Sequence, residues 1–370
     1  MFLTADNIIH YLFARDLLDP EEMVTSASVL NASRRNRNFR VELEGRTGLF
    51  VKQVPAVFTE TTGSIRREAY CYNHGRSDPS FAPLRPYIPF FLDYDPRQHT
   101  LTVELLPTTE NLNAFHARIK DFPENVAQAV GRSLGTIHNG QICPTEVSKE
   151  IFPRSAPWVL NIAQTAESVF TNMSASTRTL VDILRGNPVL VQGLYGLAVI
   201  WRQETLIHGD IKWDNFLVAN DGKLSWPDLR VVDWELADIG DSAWDVGCAF
   251  ACYVQNWLAT LGADGNSEDI SDLIIRAPHR ISAIWPAIRS LWEAYAQARR
   301  FSPAQKDREM RLAATFAAGR LVLTAFEMSI RMPDITRTSL LALQLATAMM
   351  TAPETALLEI LGLTQKAGQN

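Results

Sequence analysis

The chain is short of several features, and each shortage removes a class of function. Its four cysteines, at 71, 143, 248 and 252, form no Cys-x-x-Cys pair. That spacing argues against a cysteine-based zinc site or a disulfide framework. Cys248 and Cys252 lie four apart in an apolar, helix-like run and are expected to be core thiols. Basic residues do not outnumber acidic ones, and the net charge is −6. A general nucleic-acid binder would show the opposite balance, so no nucleic-acid partner is expected. No apolar run approaches the ~18 residues of a membrane span, and no signal-peptide pattern is seen at the start. The expectation is a cytoplasmic protein with no membrane partner. Internal repeats and low-complexity segments are also lacking.

What is present centres on Leu206-Ile-His-Gly-Asp-Ile-Lys-Trp-Asp-Asn-Phe-Leu-Val218 and Arg230-Val-Val-Asp-Trp-Glu235. Phe216 to Val218 reads as a strand. Ala219-Asn-Asp-Gly222 reads as a turn, because Asn and Gly tolerate positive φ. A second apolar run, Leu229 to Val232, ends on Asp233. A loop, a hairpin and an acidic exit would bring Asp210, Asn215 and Asp233 into one polar pocket.

Phosphoryl transfer needs that trio. One carboxylate orients and deprotonates the attacking hydroxyl, and an amide oxygen with a second carboxylate holds Mg²⁺ against the nucleotide phosphates. Mg²⁺ favours hard oxygen ligands. The five-residue interval from Asp210 to Asn215 matches the kinase catalytic loop, and Asp-Trp-Glu stands where protein kinases carry Asp-Phe-Gly.

His-Gly-Asp-x-x-x-x-Asn followed by Asp-Trp-Glu resembles the aminoglycoside phosphotransferase and choline kinase family. The resemblance implies an α+β, bilobal protein-kinase-like fold, with a small β-rich N-lobe over residues 1–106 and a larger helical C-lobe over 107–370. It implies ATP and Mg²⁺ as cofactors, Asp210 as the catalytic base, and Asn215 and Asp233 as metal ligands. Lys212 stands where this family commonly shows His and where serine/threonine protein kinases show Lys. A lysine there would neutralise charge building on the transferring phosphoryl group, or would simply face solvent.

The N-terminal third fits a nucleotide-binding lobe. Residues 5–18 suggest an amphipathic helix ended by Asp19-Pro20. Val24 to Leu30 reads as a weak first strand. Phe39, Val41 and Leu43 alternate with charged residues as a second, and Leu49 to Val54 is a third, carrying Lys52. The loop Ser33-Arg-Arg-Asn-Arg-Asn38 would cover the phosphates, yet it lacks glycine. Ser33, backbone amides and some of Arg34, Arg35 and Arg37 would have to serve instead, since arginine matches phosphate oxygens with a planar fork; the other reading is a solvated basic hairpin tip. A helix from about Ser64 to His74, with Gly75 as C-cap, places Glu68 beside its buried stripe and in reach of Lys52. By the kinase pattern, Lys52 pairs with Glu68 and positions the α- and β-phosphates; Glu60 is the spare candidate. Glu104-Leu105-Leu106 reads as the link between lobes, whose backbone would meet the adenine edge.

Beyond residue 107 the pattern is mostly helical: 125–138, two or three helices over 158–203, then 280–300, 304–331, 336–350 and 353–363. His138 reads as a cap or a core histidine. Asp245 is expected to accept hydrogen bonds from the catalytic-loop backbone, while Glu235 and Asp241 read as supporting groups or caps. Arg320 and Glu327, seven apart on an apolar helix, would need partners if buried. The polar stretch 262–269 reads as a loop.

A narrower resemblance rests on Ser-Arg-Arg-Asn-Arg-Asn-Phe, Phe-Val-Lys-Gln, Gly-Asp-Ile-Lys-Trp-Asp-Asn and Ala-Trp-Asp-Val-Gly. These are similar to bacterial phosphotransferases found with class V lanthipeptide and thioamitide systems. The resemblance implies a peptide acceptor, with Ser or Thr of a precursor phosphorylated and a partner lyase then eliminating the phosphate. A small-molecule hydroxyl acceptor, such as an aminoglycoside, amino alcohol or sugar, and a non-catalytic scaffold are the alternatives. The scaffold would call for a missing motif residue, and Lys52, Asp210, Asn215 and Asp233 are all present.

Overall fold

A computed structural model of the chain describes residues 1–25, 27–33, 36–55, 59–106, 109–140, 146–165, 170, 173–219, 229–261, 279–330 and 332–363. It divides into two compact units: residues 1–119, 140–153 and 214–238 form one, and residues 120–139, 154–213 and 239–370 the other.

The first unit is built on a five-stranded antiparallel sheet. Its strands are β1 (Ala27–Asn31), β2 (Arg37–Leu43), β3 (Leu49–Gln53), β4 (Phe91–Asp95) and β5 (Thr100–Glu104), in the order β1-β2-β3-β5-β4. Alternation decides which face is covered. Phe39, Val41, Leu49 and Val51 pack against Ile8, Tyr11 and Leu12 of helix α1 (Ile8–Ala14). This helix is shorter than the expected 5–18. Asp16 adopts φ +56°, and the amide of Leu17 turns back to the Leu12 carbonyl, a left-handed helix end of the kind usually given to glycine.

Asp19-Pro20 was expected to close a helix; instead it opens one, α2 (Pro20–Thr25). The Glu22 carboxylate accepts the Asp19 amide at 2.8 Å, and proline suits a first helical turn because its missing N–H would be unpaired there anyway. The first strand accordingly starts at Ala27 rather than Val24. Helix α3 (Thr59–Ser77) runs through Gly75, so that glycine is no C-cap. A Cβ there would collide with the side chain of Ile88, so Gly75 is a point of close packing. A second, three-stranded antiparallel sheet joins β6 (Thr109–Asn111), β8 (Phe216–Ala219) and β9 (Arg230–Val231), with α4 (Leu112–Ile119) after β6. Helix α6 (Glu146–Ile151) belongs to this unit too.

The second unit is helical. Its main members are α5 (Glu124–Asn139), α7 (Ala175–Arg185), α8 (Pro188–Val199), α9 (Ser242–Leu261), α10 (Trp285–Ala298), α11 (Pro303–Ser329) and α12 (Arg337–Thr351). One short strand pair joins β7 (Thr205–Ile207) and β10 (Asp238–Gly240). Helices α5 and α10 pack closely because Gly131 has no side chain: a Cβ there would strike the Leu291 carbonyl. Gly247 does the same for α9 against α11, where a Cβ would lie 2.6 Å from the Ala313 carbonyl. Cys248 and Cys252 are buried within α9, as expected of core thiols, and burial pushes the Cys248 thiol up. No described helix is long and apolar enough to cross a membrane.

Candidate active site

In the first unit the polar centre is a buried lysine surrounded by carboxylates. Strand β3 carries Lys52 and helix α3 carries Glu68, and they meet at 2.7 Å with both side chains buried. The same ammonium lies 2.6 Å from Asp233 and 3.2 Å from Glu235. Burial would pull the lysine down, but the three carboxylates outweigh it and hold the group above its ordinary value. Burial pushes the Glu68 carboxyl up to about 7, against the pull of Lys52. One ammonium serving three acids leaves the cluster short of positive charge. Glu68, Asp233 and Glu235 each offer an oxygen within 4.8 Å of the others.

Two further groups hold this arrangement. Tyr72, one turn after Glu68, donates its hydroxyl to Glu68 at 3.3 Å and accepts the backbone N–H of Asp233 at 3.2 Å. Arg67 donates to the Glu235 carbonyl at 3.1 Å. Asp233 itself sits at φ +68°, in the left-handed region, a strained conformation that aspartate tolerates better than most residues. Asn215 is buried, and its backbone carbonyl accepts the Val232 amide at 3.0 Å, tying its chain segment to the residue before Asp233.

The other expected nucleotide contacts sit as follows. Ser33 closes the base of its loop by accepting the Asn38 amide at 3.1 Å. Arg37 donates to the Leu3 carbonyl at 2.8 Å and stacks over Phe2, so it is committed to the N-terminal segment. Arg34 and Arg35 lie outside the described residues, as does the side chain of Glu60. Glu104 accepts the Phe90 amide through its carboxylate, and the Leu106 carbonyl accepts the Thr109 hydroxyl at 3.4 Å.

In the second unit, Lys212 donates to the Asp210 carboxylate at 2.5 Å, with Asp210 buried. The turn before it is pinned from below. Asp245, at the start of α9, accepts the His208 amide at 2.7 Å and the Gly209 amide at 3.0 Å. Trp244 donates its indole N–H to the Gly209 carbonyl at 3.2 Å. Gly209 adopts φ +79°, which suits a residue without a Cβ. His138 is a core histidine between Asp245 at 3.1 Å and the Tyr295 hydroxyl at 3.0 Å, and burial draws it below its usual value. Asp241 is held by Arg202 through contacts of 2.7 and 2.6 Å, and the same guanidinium reaches Glu309 at 2.7 Å. Arg320 and Glu327 pair with each other, both contacts at 3.0 Å.

The chain matches the phosphotransferase enzyme family over residues 26–273, well over half its length. It is a member of that family. Among solved structures, this phosphotransferase is similar to the amicoumacin kinase hAmiN in complex with AMP-PNP, Ca²⁺ and Ami. The identity is 12% over 96% of this chain and 95% of that one, with a TM-score of 0.52. It is also similar to the GDP complex of aminoglycoside 2′-phosphotransferase-IIIa, at 15% identity over 94% and 99% of the two chains and a TM-score of 0.50. A choline/ethanolamine kinase family protein from Mesorhizobium loti aligns at 15% identity over 95% and 96%, with a TM-score of 0.49. No curated protein matches it by sequence. Identities this low speak for the fold, which is α+β and protein-kinase-like: a small antiparallel sheet in the N-terminal region and a mostly helical C-terminal part.

Two parts of the phosphotransferase's lysine cluster carry no plain sequence signal. Glu235, which reads from sequence as a supporting group or a cap, is the third carboxylate on Lys52. Tyr72 holds both Glu68 and the Asp233 amide. Its position four residues after Glu68 was the available signal, because such residues share a helix face.

Proposed function

We propose that this phosphotransferase moves the γ-phosphoryl group of ATP to the hydroxyl of Ser or Thr in a precursor peptide, which a partner lyase then dehydrates. The observation carrying the reading is the Lys212–Asp210 ion pair at 2.5 Å. It sets a cation beside the carboxylate that would act as base, in the arrangement of serine/threonine protein kinases. Asp210 orients the acceptor hydroxyl and takes its proton as the new O–P bond forms and the bond from the γ-phosphorus to the bridging oxygen breaks. ADP leaves with that oxygen, and Lys212 offsets charge on the moving phosphoryl group. Lys52, held by Glu68, positions the α- and β-phosphates. Ser33, Arg35 and backbone groups at Glu104 and Leu106 complete the proposed nucleotide contacts. In this reading residues 1–106 act as the nucleotide lobe and residues 107–370 as the lobe that supplies the base.

The donor set suits Mg²⁺. Asn215 and Asp233 carry hard oxygen donors on chain segments that the backbone hydrogen bond from Val232 to Asn215 holds side by side, and they are the residues that would hold the ion. When bound, Mg²⁺ supplies charge neutralisation at the phosphate oxygens.

A small-molecule hydroxyl is the second reading for the acceptor. It is favoured by the fold shared with an amicoumacin kinase and an aminoglycoside phosphotransferase.

A mass-spectrometric transfer assay with ATP and Mg²⁺ separates these readings. Wild type and Asp210→Ala are compared on Ser/Thr peptides encoded beside the gene, with and without the neighbouring lyase, and on aminoglycosides, choline-like alcohols and sugars. Phosphopeptide, or water loss only with the lyase, supports the peptide acceptor. Phosphate on a small molecule alone moves the assignment to the second reading. Wild-type turnover in Asp210→Ala would remove Asp210 from its role.

A further inference from the structure

The geometry points to a second ligand site, remote in sequence from the catalytic loop, that binds a small organic anion carrying two or more negative charges. The site is an open cavity of about 810 Å³ on the surface of the helical unit, between α5, α10 and the turn into α11. Its volume lies in the range of small-molecule pockets. Arg132, Arg289, Arg300 and Lys306 line it against a single carboxylate, Glu293, with Phe301 and alanines as an apolar wall. Four cations facing one acid stand out on a chain whose net charge is −6. Three of them already have partners: Lys306 pairs with exposed Glu293, Arg289 donates to the Gly362 carbonyl at 3.1 Å, and Arg132 has an interaction of its own. The guanidinium of Arg300 is exposed, and no hydrogen bond or ion pair is found for it among the described residues.

The backbone at Arg300 supplies a second, independent observation. Arg300 sits at φ +55°. Its amide returns to the Gln297 carbonyl at 3.0 Å, and the Phe301 amide returns to that of Ala296 at 3.1 Å. This is the hydrogen-bond pattern of a helix end whose left-handed position normally takes glycine. Arginine is strained there and glycine would not be. Backbone strain of this kind clusters at ligand-binding and catalytic sites. Here that side chain borders a cavity already lined by three other cations. Arginine's planar fork suits carboxylate and phosphate oxygens alike, so a phosphorylated metabolite and a polycarboxylate share the required chemistry. None of Asp210, Lys212, Asn215 or Asp233 lines the cavity, and the inference does not depend on the acceptor proposed above.

Arg300→Gly tests it, because glycine relieves the strain while removing the charge. Wild type, Arg300→Gly and Arg132→Gln/Arg289→Gln are melted with citrate or inorganic pyrophosphate, without Mg²⁺, against sodium chloride at matched ionic strength. Calorimetric titration supplies the dissociation constants. The expected result has three parts. Arg300→Gly melts higher than wild type without probe. At least one probe raises the wild-type melting temperature beyond the salt control. The dissociation constant for that probe weakens fivefold or more in both variants. Equal protection in all three proteins, or no protection beyond salt from either probe, overturns the proposal. A phosphate-specific response points to a phosphorylated ligand, and a response shared by citrate to any multivalent anion.

Discussion

Lys52 and Glu68 meet at 2.7 Å with both side chains buried. Removing the lysine strands a buried carboxylate, and the cost of breaking a buried pair from one side is about 3–5 kcal/mol. Lys52→Met is therefore expected to lose roughly that much stability in denaturant melts and to bind ATP at least tenfold more weakly. Lys52→Met/Glu68→Leu should recover most of the stability and none of the activity. If the double variant is as unstable as the single one, the pair is not what holds α3 to β3.

Asp245 makes a second prediction, about the catalytic turn. It accepts two loop amides, and hydrogen bonds to a charged group are each worth about 1.5–3 kcal/mol. Asp245→Asn keeps the shape and removes the charge. The expected result is a loss of about 2 kcal/mol in stability, together with a kcat falling at least tenfold while ATP affinity holds. Unchanged kcat would show that the His208–Gly209 turn is set by other contacts.

His138 gives the chain a pH signature. Burial lowers its pKa in the folded state, so it stays neutral there while the unfolded chain titrates near 6.5. As pH falls below 6.5 the unfolded state takes up the proton first, and stability drains away on the acid side. His138→Gln should flatten its share of the drop in melting temperature between pH 7.5 and 5. Parallel pH profiles for variant and wild type would assign the acid loss to other groups.

Gly131 is where α5 and α10 touch. A methyl group there meets the Leu291 backbone, which has no rotamer to yield with. Overpacking of this kind costs about 1–3 kcal/mol. Gly131→Ala should lower the melting temperature by several degrees, whereas Gly196→Ala, in open space, should not. Equal effects at both sites would reduce the result to helix propensity.

The motif around Asp210 is legible because its spacing is local. Asp210, Lys212 and Asn215 lie within six residues, and Asp233 ends a short apolar run. Lys52 and Glu68 could be paired across sixteen residues because the kinase pattern calls for such a pair and the stripe of α3 sets Glu68 beside its buried face. Local signals failed where one dipeptide serves two purposes. Asp19-Pro20 stops a helix as readily as it starts one, and Glu22 three residues later was the cue to a start. Gly75 looked like a cap, but its partner, Ile88, lies on another element. Glu235 on Lys52, and a cavity assembled from three stretches, are products of packing that no window of sequence contains.

The phenolic oxygen of Tyr72 touches both Glu68 and the Asp233 amide. Helix α3 therefore shares a mechanical linkage with the acidic turn that follows β9. A rotation withdrawing Glu68 from Lys52 would release the Asp233 amide in the same movement. The lysine's partner and the residue proposed for the metal would disengage as one. Tyr72→Phe uncouples them: Glu68 could stay docked while Asp233 relaxes from its left-handed conformation, leaving a protein that holds nucleotide normally but needs more Mg²⁺ to reach half-maximal rate.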